Sequence, residues 1–201
     1  ARATPQLSEP EKMFLERLSV VAAMNAQKFD VASSSLEYLL QNKDLSPTDR
    51  ATLTETMVSV SQRNKDHAKV VQWARRYVQE GGKNQRVHMM KVQALALQGL
   101  HKDVLQEMNE AYKVSGYQAE EAELRIYAFS QKQLKDDAGY ANTLTQLVTR
   151  FPSKDYWSDL LNSMGRVPGI NARTQLDVSR LMDAAGTMEE AEDYLDTAQF
   201  A

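Results

Sequence analysis

A short pattern recurs along this chain and limits its fold more than any other feature does. A tight turn is followed by a small or apolar residue, and two more residues of this kind stand four and seven positions later. The pattern occurs five times, with the first residue of each copy at Ala32, Val70, Val104, Tyr140 and Ala191. Positions separated by four and seven residues share one face of an α-helix. Each copy therefore predicts a helix whose apolar stripe has to be covered by neighbouring helices.

The spacing of the copies indicates a repeat of helix pairs. Their first residues are separated by 38, 34, 36 and 51 residues. Each of the first three intervals holds one helix pair, and the fourth has room for an additional helix, which residues 154–164 supply. With ends placed to about two to four residues, we expect about eleven helices, at residues 9–26, 28–42, 47–63, 65–80, 84–98, 101–115, 119–133, 136–151, 154–164, 172–185 and 187–200.

Composition and capping residues agree with an all-α chain. The 201 residues include eight glycines and five prolines, fewer than an all-β fold would need for its turns, and no strand is predicted. Apolar residues make up 42% of the chain and charged residues 25%, which excludes a disordered polymer. Ser8 and Ser46 are expected to start helices, and Gly81–Gly82, Gly116 and Gly165 are expected to end them.

The repeated pattern resembles the tetratricopeptide repeat family. The likeness is most specific at Gly186–Ala198 and at Pro152, which stands where that family commonly closes a repeat. One such repeat is 34 residues long. The tryptophan and glycine usual in the first helix are absent, so the repeats are degenerate. The resemblance implies a right-handed α-solenoid of about five helix pairs plus one extra helix.

We expect residues 1–201 to form a single superhelical domain. Residues 1–8 are expected to be a flexible N-terminal segment, and residues 152–171 an irregular insertion that contains the extra helix. Because the chain begins with Ala1 and ends in an apolar helical pattern without a cap, we expect it to be a fragment of a longer protein.

A narrower resemblance lies in Phe151–Leu161, Arg166–Gly169 and Gln175–Leu181. These segments are similar to the carboxyl-terminal part of exported tetratricopeptide proteins of proteobacteria. The resemblance implies a periplasmic or cell-envelope location, with the cytoplasm as the alternative, and it implies no activity.

The residue types that carry catalysis or bind metals do not form a recognisable constellation. The chain has no cysteine, and its histidines, His67, His88 and His101, lack the spacing of metal ligands. His67 and His101 occupy equivalent turn positions and are expected to pack between helices. The acidic run Glu120–Glu123 is interpreted as a solvated helix start that meets the positive end of the helix dipole. We expect no enzyme activity, no cofactor and no metal.

Charge and hydropathy exclude two classes of partner. A formal net charge of −3 gives no overall field to attract nucleic acid or an anionic membrane. No apolar run approaches the roughly 18 to 20 residues of a membrane span. We therefore expect neither a nucleic-acid partner nor direct membrane insertion.

In a right-handed stack of helix pairs, the first helix of each pair lines the concave surface. The residues of those helices that face away from the second helix form the predicted groove. They are Arg17, Asn25, Glu55, Gln62, Arg63, Arg86, Met89, Gln93, Arg125, Phe129, Lys132, Arg173 and Arg180. Together with Asp183, which the same register places on this face, the surface carries seven basic residues against two acidic ones, Glu55 and Asp183, in a chain whose net charge is −3.

The favoured function is a non-catalytic scaffold for protein–protein interaction. Its partner is expected to be a protein or peptide segment bearing carboxylates, bound by guanidinium groups, with Met89 and Phe129 supplying apolar contact. A plainer interpretation is that exposed helix positions are commonly basic and bind nothing. The alternative function is a structural solenoid segment of a larger envelope protein, which forms a homo-oligomer through its C-terminal helix.

Overall fold

The computed structural model describes residues 7–188, which form ten α-helices and no β-strand. The helices are α1 Glu9–Asn25, α2 Phe29–Leu40, α3 Pro47–Arg63, α4 His67–Gln79, α5 Gln85–Leu97, α6 His101–Tyr112, α7 Glu121–Gln133, α8 Asp137–Arg150, α9 Lys154–Met164 and α10 Ala172–Ala184. Each of these helices begins and ends within three residues of the bounds predicted from the sequence, so the all-α class is confirmed. The eleventh predicted helix, at residues 187–200, falls almost entirely outside the described residues.

The chain divides between Gln98 and Gly99 into two compact units. Unit 1 contains α1 to α5 and unit 2 contains α6 to α10. Within each unit every helix packs against the next helix along the chain, and in unit 1 α3 also contacts α5.

The apolar triads of the repeated pattern are buried in both units. Four of the five copies lie within the described residues, and every member of these four is buried. They are Ala32, Leu36 and Leu39; Val70, Ala74 and Tyr77; Val104, Met108 and Ala111; and Tyr140, Leu144 and Leu147. The fifth triad, which begins at Ala191, lies outside the described residues. The periodic pattern therefore marks the buried face of α2, α4, α6 and α8.

The turn that precedes each triad has one backbone geometry. A residue with positive φ stands five positions before the first residue of each triad: Gln27 at 57°, Lys65 at 58°, Gly99 at 71°, Lys135 at 58° and Gly186 at 67°. At the first two of these turns the next backbone N–H reaches back to close the helix: Lys28 N–H donates to the Ala23 carbonyl at 2.8 Å, and Asp66 N–H donates to the Ser61 carbonyl at 3.0 Å. These bonds satisfy carbonyl groups that a helix end leaves unpaired.

The predicted helix starts at Ser8 and Ser46 are confirmed. The Ser8 backbone N–H donates to the Glu11 carboxylate at 2.8 Å, which forms half of a capping box. The Ser46 hydroxyl accepts from the Asp49 backbone N–H at 3.0 Å. Both contacts satisfy backbone groups that lack a partner inside the helix.

The interpretation of the acidic run before α7 as solvated is wrong for Glu123. This residue is only 1% exposed, and its carboxylate accepts a hydrogen bond from the Glu120 backbone N–H at 3.0 Å. Burial and the adjacent Glu123 carboxylate raise the pKa of the Tyr117 hydroxyl. Glu123 is therefore a buried capping residue, because a carboxylate three positions into a helix can reach back to the unpaired N–H at its start.

Candidate functional site

A cleft opens in unit 2 between α7 and α9, which both pack against α8. Its floor consists of the buried α8 side chains Tyr140, Leu144 and Leu147. A cavity of about 300 Å³ in this cleft is also lined by Arg125, Ala128, Phe129 and Lys132 from α7 and by Asp155, Tyr156 and Asp159 from α9. The predicted groove residues Arg125, Phe129 and Lys132 are thus brought together on one wall.

A second cavity continues the cleft towards the ends of α7 and α9. It measures about 460 Å³ and shares Lys132, Tyr140 and Asp159 with the first. Its other lining residues are Lys135, Asp137, Asn162 and Arg166. The two cavities adjoin each other, because they have three side chains in common. Their lining runs from Arg125 to Lys135 and from Asp155 to Arg166, so together they form an elongated depression.

The two walls of the cleft carry opposite charges. The basic residues Arg125 and Lys132 lie on α7, whereas the acidic residues Asp155 and Asp159 lie on α9. Within residues 7–188 no ion pair connects the two walls. Charges on both walls are therefore available to a bound segment.

Tyr140 occupies the centre of the floor and contacts both walls. The Lys132 ammonium lies 5.6 Å from the centroid of the Tyr140 ring, within the range of a cation–π interaction. Burial, together with the charge of Asp159 and its hydrogen bond from the phenol, raises the pKa of Tyr140 to about 12. The phenol is therefore a neutral hydrogen-bond donor at physiological pH.

Tyr156 holds the amino-terminal ends of α7 and α9 together. Its hydroxyl donates to the Glu121 carboxylate at 2.6 Å. Burial and this hydrogen bond raise the pKa of Tyr156 to about 12. The contact fixes the width of the cleft beside Arg125, because it joins the first turn of each wall.

Phe129 supplies an apolar surface on the α7 wall. Half of its side chain is exposed, and the ring meets His101 edge to face, with 5.5 Å between the ring centroids. His101 Nδ1 lies 3.2 Å from the Ser130 hydroxyl. The prediction that His101 packs between helices is confirmed, and this packing holds Phe129 in place.

In unit 1 the structure brings part of the predicted groove together. α3 and α5 are neighbours, and Gln62 donates to the Gln93 side-chain carbonyl at 3.3 Å. Glu55 accepts from the Asn84 amide at 2.7 Å. The remaining candidates of this unit are Arg17 and Asn25 on α1, Arg63 on α3, and Arg86 and Met89 on α5, and all except the half-buried Met89 are exposed.

The two predicted arginines of α10 do not line the cleft. Arg173 and Arg180 are exposed on α10, and Arg180 pairs with Asp177 of the same helix at 3.2 Å. Instead α9, which was predicted as an extra helix, forms the wall opposite α7. The structure thus does not group these arginines with Arg125 and Lys132.

The sequence-based prediction missed the α9 side of the cleft, namely Asp155, Tyr156, Asp159 and Asn162. A signal was present in the interval between helix starts. α3, α5, α7 and α9 begin at residues 47, 85, 121 and 154, so α9 follows the spacing of the first helices of the pairs. The turn at Gly186, before Thr187, has the repeated geometry, and for this reason the prediction took α10 instead of α9 as the first helix of the last pair.

From residue 7 to residue 188, no group of three or more His, Asp or Glu side chains is arranged to hold a metal ion. Over the same residues, no helix combines the length and apolar character required to cross a bilayer.

No protein-family model matches the chain, and a search of curated proteins found no significant match.

Proposed function

We propose that this chain is a non-catalytic protein-binding scaffold, and that the α7–α9 cleft of unit 2 holds a segment of the partner. The observation that carries the proposal is the placement of Arg125, Phe129 and Lys132 on one open wall above an apolar floor. Exposed guanidinium and ammonium groups bind carboxylates, and a half-exposed aromatic ring supplies apolar contact area. An elongated depression with these properties suits a peptide segment better than a compact small molecule.

The helix pairs are proposed to belong to a right-handed α-solenoid of the tetratricopeptide type. Two features support this: the first helices of the pairs start at intervals close to the 34-residue repeat, and five turns share one positive-φ geometry. In such a solenoid the first helices form an open binding wall, which agrees with the position of α7 at the cleft.

The binding proposal can be tested with a random dodecapeptide library displayed on phage. We expect the full chain to enrich specific peptides, and the variant Arg125→Glu/Phe129→Ala to lose them. A matched control, Lys102→Glu/Leu181→Ala, changes the same charge and a similar apolar area at exposed positions of unit 2 outside the cleft. Circular dichroism establishes that both variants fold. Equal binding by the two variants, or no enrichment by the wild-type chain, would reject the cleft as a binding site.

A second function, self-association as a structural segment, is favoured by an apolar stripe on α1. Phe14, Leu18 and Val21 are 61%, 50% and 59% exposed and share one face of the helix. A contiguous exposed apolar surface is typical of interaction sites. The occupant proposed for it is a second copy of this chain. The C-terminal helix through which the sequence predicts self-association, at residues 187–200, falls almost entirely outside the described residues.

Light scattering distinguishes this second function from the first. A self-associating chain would be dimeric or larger, and Phe14→Glu/Leu18→Glu would convert it to a monomer. A wild-type chain that remains monomeric at high micromolar concentration would remove the self-association proposal and leave the binding proposal unaffected.

The cellular location proposed from the resemblance is the periplasm or cell envelope, with the cytoplasm as the alternative. Fractionation of cells that express the native gene with an epitope tag tests this directly. Recovery with cytoplasmic markers would reject the envelope location.

A further inference from the structure

The opposite charges of the cleft walls restrict which segments it can bind. The sequence predicts a mainly basic groove, and a groove that binds purely acidic segments is expected to carry basic residues on every wall. Instead Asp155 and Asp159 face the cleft from α9, across the floor from Arg125 and Lys132. A carboxylate-rich segment would meet attraction from α7 and repulsion from α9, and like charges brought together disfavour binding.

The aspartates of α9 form no ion pairs with Arg125 or Lys132, the basic residues of the α7 wall, in the described part of the chain. The partner of Asp159 is the phenol of Tyr140, which leaves its negative charge in place. At the far end of the cleft Arg166 does pair with Asp137, at 3.1 Å, so an internal ion pair forms there. The walls beside Phe129 thus keep opposite charges that a ligand can neutralise.

We propose that the cleft recognises a bipolar peptide segment, in which an apolar side chain lies between an acidic and a basic residue. The apolar side chain packs against the half-exposed ring of Phe129, the acidic residue contacts the α7 wall, and the basic residue contacts the α9 wall. This inference rests on the proposed function and narrows its partner from acidic to bipolar.

In such a complex the charge pattern of the segment provides specificity, and the half-exposed Phe129 ring provides apolar contact area.

The first test is the charge pattern of peptides that the full chain selects from the random dodecapeptide library. We expect the enriched peptides to contain an acidic and a basic residue within about five positions of an apolar one. Enrichment of purely acidic peptides would overturn the bipolar inference and leave the scaffold function standing. Absence of any enrichment would overturn both.

The second test uses neutral substitutions of similar size on each wall, with a selected peptide as the probe. Arg125→Gln and Asp155→Asn should each weaken binding about tenfold, as expected for loss of a charge-assisted hydrogen bond. Asp155 is preferred to Asp159 because Asp159 also accepts a hydrogen bond from Tyr140. Lys102→Gln and Glu110→Gln, at exposed positions of α6, serve as controls that should leave binding unchanged.

The direction of the Asp155→Asn effect decides between the two kinds of partner. Weaker binding by Asp155→Asn supports a bipolar ligand if the substitution has no further effect on a peptide whose basic residue is replaced by glutamine. Unchanged binding would mean that the aspartate does not contact the ligand, and the inference would be wrong. Tighter binding by Asp155→Asn would mean that the aspartate only repels an acidic ligand, and the inference would then be wrong.

Discussion

Truncation of Leu144 tests whether the repeated triads hold the helices together. Leu144 lies on α8 and is the middle residue of the fourth triad. It is 2% exposed and lies at the bottom of the cleft between α7 and α9. Changing it to alanine removes three carbon groups, worth about 2.4 kcal/mol at roughly 0.8 kcal/mol each. Incomplete collapse around the vacated space adds to this, so Leu144→Ala should lower the free energy of unfolding of unit 2 by about 3 kcal/mol.

The measurement can be restricted to unit 2 by fluorescence. The chain has two tryptophans, of which Trp73 lies in unit 1 and Trp157, which is buried, lies on α9. In a Trp73→Phe background, urea unfolding followed by fluorescence reports on the neighbourhood of Trp157. Leu181→Ala is the matched control, because Leu181 is 58% exposed on α10 and its truncation should change stability by less than about 0.5 kcal/mol.

This prediction is contradicted if Leu144→Ala and Leu181→Ala lower the free energy of unfolding by similar amounts. A Leu144→Ala variant within about 1 kcal/mol of wild type would show that the triad face is not enclosed by neighbouring helices. The corresponding change in unit 1 is Leu36→Ala, since Leu36 is fully buried at the same place in its triad. It should cost a similar amount when Trp73 is the reporter.

Three further predictions concern local contacts. Gly82→Ala should destabilise unit 1 by about 1–3 kcal/mol in urea unfolding, because an added Cβ would overlap the buried Tyr77 ring. Ser46→Ala should cost about 1 kcal/mol in the same assay, since it removes the cap of α3. Tyr140 has a pKa of about 12, above its unfolded value, so its stabilising effect is complete below about pH 10 and is lost as pH rises through 12. Absorbance at 295 nm should show that Tyr140→Phe lowers the amplitude of the transition near pH 12, to which Tyr156 also contributes.

The helices and their buried faces could be predicted from the sequence because both depend on local periodicity. Ala32, Leu36 and Leu39 illustrate this, since their spacing alone places them on one face and all three are fully buried. The turns could also be predicted from the sequence, although Gln27 and Lys65 stand at positions of positive φ where glycine is the usual residue. Capping hydrogen bonds and the neighbouring triad compensate for that local cost.

The far wall of the cleft could not be obtained from local signals. Asp155 and Asp159 belong to a helix without a preceding turn of the repeated type, so registering on turns placed α10 where the structure has α9. Glu123 shows the same limit, because an acidic residue at a helix start is equally compatible with solvation and with a buried capping box. Which of these occurs depends on neighbouring helices, and a local pattern does not specify them.

The charged walls of the cleft and the buried core use adjacent positions of the same helix, and this separates the recognition of charge from stability. On α7, Leu124 and Ala128 are buried, while the adjacent Arg125 and Phe129 are exposed on the wall of the cleft. Burial of the first pair fixes the direction of the second pair, because neighbouring residues on a helix point about 100° apart. Charge changes on the walls should therefore alter binding while leaving the unfolding transition close to that of wild type. A scaffold with this arrangement can change its partner through wall residues alone, since the apolar triads that hold its helices together take no part in choosing the charge pattern of the ligand.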